Sequence, residues 1–167
     1  MVESLFAPWR FDYVTTVEQR NRDECVFCRA LHSSDDRATL TLLRWEHSFA
    51  LLNLYPYTPG HCMVAPNTHV SDLDVLDDAT LTEMMVGVRL LVRVLRELYN
   101  PHGFNVGCNV REAAGAGIEE HLHLHIVPRW RGDTNLMGVI GETRVIPEDL
   151  EQTFDKITRT LARGEVE

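Results

Sequence analysis

Three imidazoles stand at strict alternation in His121-Leu-His-Leu-His-Ile-Val-Pro-Arg-Trp130, with apolar residues between and after them. That is the period of an extended strand, which sets the histidines on one face and the apolar residues on the other. A helix would spread the three around its circumference. At roughly 3.3 Å per residue the outer two lie about 13 Å apart at Cα. Zinc–imidazole bonds are only about 2 Å long, so His121 and His125 do not readily share one ion, whereas neighbours in the row can. The row therefore points to divided labour: a middle imidazole, His123, that acts, and flanking ones that orient, protonate or bind.

Other residues carry chemistry nearby. Cys25-Val-Phe-Cys28 has the spacing of half a tetrahedral zinc site, and the rival is a reduced, metal-free pair. Cys62 and Cys108 sit in apolar segments and read as small buried hydrophobes. Asn53 and Asn109 are amides in otherwise apolar strands, and buried amides need partners such as a ribose hydroxyl or a phosphate.

Elements must hold these residues in place. Alternation and turn residues predict strands over 38–43, 49–54, 61–65, 104–110 and 121–129, with a Pro-rich shaped loop over 55–60. Leu81, Met84, Met85, Val88, Leu91, Val92, Leu95 and Leu98 recur at helical spacing behind the cap signal Asp77-Asp78, predicting a long amphipathic helix over 79–99. A second helix is expected over 147–163, after a short apolar segment from Leu136 to Ile140. The last two strands, joined by the small-residue loop 111–120, should pair antiparallel and bring the asparagine face beside the histidine face. Cys25 and Cys28 are placed at a turn.

The whole chain sets outer bounds. Its 167 residues, 44% hydrophobic, suit one domain with an adequate core: an aromatic-bearing arm over 1–24, a core over 25–130 and an extension over 131–167. A net charge of −9 argues against nucleic-acid binding, which needs a basic footprint, but not against a small anion held by local arginines and amides. No apolar run reaches membrane-spanning length and no leader pattern opens the chain, so a cytoplasmic protein without a membrane partner is expected.

His121-Leu-His-Leu-His-Ile-Val127 resembles the signature of the histidine triad, or HIT, superfamily of nucleotide hydrolases and transferases. Leu5-Phe-Ala-Pro-Trp-Arg10 is similar to the arm of bacterial members, and Cys25-x-x-Cys28 to the half-site of metal-containing ones. Asn53-Leu-Tyr-Pro-Tyr-x-Pro-Gly-His61 and Pro101-His-Gly-Phe-Asn-Val-Gly107 resemble diadenosine tetraphosphate phosphorylase-like relatives. The resemblance implies an α+β fold whose five-stranded antiparallel sheet, with a long and a C-terminal helix, joins its copy in a homodimer; pairing of dimers into tetramers stays open.

It also implies an enzyme cleaving a dinucleoside polyphosphate such as Ap4A at the α-phosphate, with His123 as nucleophile and His125 on the phosphate and leaving group. Asn53, His61, Asn109 and the backbone of Gly115, Ala116 and Gly117 would contact the nucleotide, with a strand cap as the bland role for His61. Cys25, Cys28, His69 and His121 would hold structural zinc, the rival for His121 being orientation of the nucleophile within the catalytic triad. Family members commonly carry Gln, Ser or Thr where this chain has Gly117 and Ile118, which leaves water and phosphate open as the second nucleophile. The alternatives are a purine nucleoside phosphoramidase and a nucleotide-binding or sensing protein.

Overall fold

The computed structural model of the chain describes residues 25–133 and 148–164. The expected arm over 1–24 and the apolar segment at 136–140 lie outside the described residues. The elements are α1 (Val26–His32), β1 (Thr41–Arg44), β2 (Ser48–Leu52), β3 (Cys62–Pro66), α2 (Asp78–Tyr99), β4 (Gly103–Gly107), β5 (Leu124–Arg129) and α3 (Leu150–Arg163). The strands form one antiparallel sheet in the order β1-β2-β3-β5-β4, the α+β arrangement that the resemblance implied.

Both faces of the sheet centre are covered, which explains why β2 (SFALL) and β3 (CMVAP) are buried at every position rather than alternating in polarity. Ala50, Leu52, Cys62, Val64 and Ile126 pack on the α2 stripe Met84, Val88, Leu91, Val94 and Leu95 and on Phe154 and Ile157 of α3. Phe49, Leu51, Met63 and Ala65 point the other way and pack on Phe27 and Ala30 of α1. Met63 pairs with His125 across β3 and β5, and Gly107 pairs with it from β4, so His125 faces the α1 side. Asn105, opposite Val127, shares that face, as the strand pairing required.

Helix ends follow local chemistry. The Asp77 carboxylate accepts from Thr80 N–H (2.7 Å) and starts α2, and Asn100, in the left-handed region at φ 43°, ends it before Pro101. Asp149 caps α3 in the same way through Gln152 N–H (2.8 Å). Gly60 turns the chain into β3 at φ +77°, where a Cβ would come within 2.7 Å of Leu95 Cδ2. Only glycine satisfies both demands.

Three expectations shift. Cys25 and Cys28 belong not to a bare turn but to the start of a helix: Cys25 precedes α1 and Cys28 lies in its first turn. The first strand begins at Thr41 rather than Ala38, because Asp35 accepts from Ala38 N–H (3.0 Å) and Thr39 Oγ1 bonds back to Asp35 O, diverting that backbone into a turn. The histidine strand begins at Leu124. Upstream, Leu122 N–H donates to Val70 O (2.6 Å) instead of to a sheet neighbour, so His121 and His123 sit on extended chain peeled away from β3.

Candidate functional site

β5 and the extended residues before it carry the three imidazoles into the space between the sheet and α1. His121 is fully buried and His123 is 5% exposed, so both are shaped by protein groups rather than by water. Phe27, the aromatic residue between the two cysteines, lies against both rings, with centroids 5.0 Å from His121 and 4.7 Å from His123. The sequence offered one signal for this: an aromatic residue inside the C-x-x-C.

Hydrogen bonds fix the protonation pattern ring by ring. His123 Nδ1 lies 2.8 Å from the carbonyl of His121, which can only accept, so Nδ1 carries the proton and Nε2 the lone pair. Burial lowers its pKa, against the opposing pull of that carbonyl. The ring is therefore neutral near pH 7, as nucleophilic attack requires.

His125 is read from the other side. Tyr57 N–H donates to His61 Nδ1 (3.1 Å), which places the His61 proton on Nε2. That nitrogen lies 3.0 Å from His125 Nδ1, which must accept, so the neutral His125 ring presents its N–H at Nε2. Burial, and next the neighbouring His123, push the His125 pKa down to about 4. It is an N–H donor without charge at neutral pH.

The expected nucleotide contacts are placed as follows. His61 is 1% exposed and lies behind His125, orienting it, rather than opening to solvent as a ribose pocket would. Asn53 Oδ1 accepts from Tyr55 N–H (2.9 Å), and its Nδ2 lies 3.4 Å from His61 Nε2. Tyr57 stacks over this pair, 4.6 Å from His61 and 6.3 Å from His125 between centroids, and is 42% exposed. Tyr57 forms an aromatic wall beside His125 that the Pro-rich loop concealed in the sequence.

Asn109 is exposed past the end of β4, where its Nδ2 donates to Gly115 O (3.2 Å) and ties down the small-residue loop. Gly115 N–H is engaged by Glu112 O (2.8 Å), while Ala116 N–H lies 3.5 Å from Arg111 O, at the limit of a hydrogen bond. Ile118 packs at the α1 side of the sheet, anchoring the loop's far end. Arg111 has φ 67° and ψ 173°, a region that belongs almost wholly to glycine and costs other residues about 1–3 kcal/mol. Its Nε donates to Asp72 Oδ1 (2.9 Å) and its Nη2 to Asp72 Oδ2, and this pairing holds the Asp72 carboxyl below the usual carboxylate range.

The four residues named as zinc ligands converge. Ligand atoms of Cys25, Cys28, His69 and His121 all lie within 4.8 Å of one another. Cys25 Sγ is 3.3 Å and Cys28 Sγ 3.6 Å from His121 Nδ1, and Cys28 Sγ is 3.2 Å from His69 Nδ1. Sulfur and nitrogen on one tetrahedral zinc stand about 3.5 Å apart, so the set fits that ion. His121 Nε2 lies 2.9 Å from Pro66 O, which puts its proton there and leaves Nδ1 to bind a metal. Facing Nδ1 toward the thiols, His121 is turned away from His125.

A family described as "HIT domain" matches residues 36–132. The chain is 38% identical over 167 residues to an AP-4-A phosphorylase of Mycobacterium tuberculosis, covering 97% of this chain and 86% of that protein. It is 33% identical over 121 residues to a bis(5'-nucleosyl)-tetraphosphatase [asymmetrical] of Schizosaccharomyces pombe, covering 72% of this chain and 63% of that one. The solved structure of a Zn-bound histidine triad family protein from Mycobacterium smegmatis superposes with a TM-score of 0.69 at 27% identity, over 85% of this chain and 96% of that one.

Proposed function

The chain belongs to the HIT domain family of nucleotide-processing enzymes, and from that premise we propose that it cleaves a dinucleoside polyphosphate such as Ap4A at the α-phosphate. The observation that carries the reading is the pair of opposed ring nitrogens: a lone pair on His123 Nε2 and an N–H on His125 Nε2. Attack by the first at phosphorus makes an N–P bond, and the P–O bond to the β-phosphate breaks. The departing ATP oxygen takes a hydrogen bond from the second. The positive charge left on the His123 ring is stabilised by the His121 carbonyl at Nδ1. Water or inorganic phosphate then breaks the N–P bond, releasing AMP or ADP and returning the electron pair to His123.

Around this centre the loop over 115–117, tied by Asn109, would hold the phosphates through backbone N–H groups, with Ala116 the best placed. His61 acts on the substrate through His125, and Asn53 shapes the adjoining loop by accepting from Tyr55 N–H. Cys25, Cys28, His69 and His121 would hold zinc, which on binding ties α1 to the histidine segment as a structural clamp. Two copies joined through their sheets, in a cytoplasm that keeps the thiols reduced, complete the reading.

Incubation of the purified protein with Ap4A, with and without phosphate, tests it. ATP plus ADP appearing only with phosphate marks phosphorolysis, and ATP plus AMP without phosphate marks hydrolysis. Inert Ap4A alongside rapid cleavage of an adenosine phosphoramidate would replace this reading with an AMP-amine hydrolase. Tight nucleotide binding with no turnover of either compound, unchanged in His123→Ala, would replace it with a binding protein.

A further inference from the structure

Three pieces of backbone meet around the histidine segment, and one exposed side chain ties two of them together. The segment after β3 gives the Pro66 carbonyl to His121 Nε2, His69 to the four-residue cluster and the Val70 carbonyl to Leu122 N–H. Two residues on, Asp72 receives both arms of the Arg111 guanidinium and also accepts from Ser71 Oγ (2.7 Å). Arg111 opens the small-residue loop. Its carbonyl is the acceptor facing both Ala114 N–H (3.3 Å) and Ala116 N–H (3.5 Å), so its backbone angles set where the N–H groups of that loop point.

A guanidinium forked onto a carboxylate is a directional contact, and here it holds a residue in a backbone region that almost only glycine enters unaided. An exposed ion pair contributes little to stability, so a strained turn held by one has its use in geometry. We propose that Arg111, through Asp72, is a positioning residue that holds the 111–117 loop in the shape that receives the substrate's phosphates. The inference rests on the reading of that loop as the phosphate cradle. Arg111 itself stays on Asp72 and does not touch the reacting atoms.

Steady-state kinetics on Ap4A, metal content and thermal melts of Arg111→Gly, Arg111→Lys, Asp72→Ala and the double variant Asp72→Ala/Arg111→Gly test it. Glycine keeps the unusual backbone without strain but loses the tie. The expected result is a KM raised by about ten- to a hundredfold in Arg111→Gly and Asp72→Ala, with kcat within about twofold. Metal content should stay that of the wild type and Tm should not fall, the double variant should be no worse than either single one, and lysine should restore part of the loss. Wild-type KM in Arg111→Gly, or a fall in kcat and metal content together, overturns the proposal. Gly115→Val separates the two readings. If it leaves KM unchanged, the cradle itself is wrong. If it raises KM while the Arg111 and Asp72 variants do not, only the role given to Arg111 fails.

Discussion

Each histidine of the alternating row has two nitrogens, and the acceptor on one nitrogen decides what the other can do. His123 gives Nδ1–H to the His121 carbonyl and so offers Nε2 as a base or nucleophile. His123→Ala should therefore lower kcat on Ap4A by at least about 10⁴-fold while nucleotide binding persists. In the wild type, acid-sensitive label from α-³²P substrate should be trapped on the protein, and in the variant it should not. Retained turnover in His123→Ala would end the covalent scheme. The same burial that hides these rings lowers their pKa values, to about 4 for His125 and in the same direction for His123. A lowered pKa means the proton leaves at lower pH, so at the ordinary value near 6.5 His125 is neutral and His123 is more than half so. Because a dinucleoside tetraphosphate has no terminal phosphate to titrate there, the acid limb of kcat/KM should have its midpoint below 6.5. An acid limb centred at or above 6.5 would contradict neutral, desolvated histidines.

α1 shows how an element of seven residues can serve the site. It starts at the Cys25–Cys28–His69–His121 cluster, sends Phe27 onto the rings of His121 and His123, and covers the sheet face opposite α2. Protein purified without added zinc should contain close to one zinc per chain. An ion at about 100 times its Kd stabilises by about 2.7 kcal/mol, and in a domain this size each kcal/mol is worth about 2–4 °C. Chelation, or Cys28→Ser, should therefore lower Tm by roughly 5–10 °C, and a metal-free protein with unchanged Tm would reject the site. The convergence of Cys25, Cys28 and His121 was legible because C-x-x-C and alternating histidines are chemical patterns, while His69 entered only through the resemblance. The helix between them was not, since VFCRALH is too short for periodicity to speak. The long helix was legible within one residue because about six turns of apolar stripe and an Asp77 cap agree. The start of the last strand was misplaced for a different reason. Alternation reports which way side chains point, and His121 and His123 keep that alternation while Leu122 N–H between them bonds to Val70 O and the His121 ring to Pro66 O, instead of a sheet ladder. The roles of His61 and Arg111 were hidden for a third: each acts through a partner 64 or 39 residues away, and no local pattern records such contacts.

At the scale of the molecule, the layer that buries α2 inward leaves apolar side chains on its outward face and along the sheet edge. Met85 is 55% and Val86 46% exposed, in a shallow groove with Leu81, Thr82 and Arg89, and Val106 on the edge strand β4 is 45% exposed. Among the described residues β4 is a sheet edge, and an edge strand beside an exposed valine is a surface that a second copy can satisfy, by pairing the edge and burying the helix face. Joined sheets are what the resemblance implied, so the homodimer of the proposed function locates its contact here. Sedimentation at micromolar concentration should give twice the 19.1 kDa chain mass. Introducing charge with Met85→Glu and Val106→Glu should shift the protein toward the monomer, since burying an unpaired carboxylate in an interface costs several kcal/mol, about a thousandfold in Kd. Met85 lies on the exposed face of α2 and Val106 on the sheet face opposite His125, so any accompanying loss of turnover would mean the site depends on the partner copy. A wild-type chain that sediments at 19.1 kDa, or a dimer indifferent to both substitutions, would place the contact elsewhere or remove it.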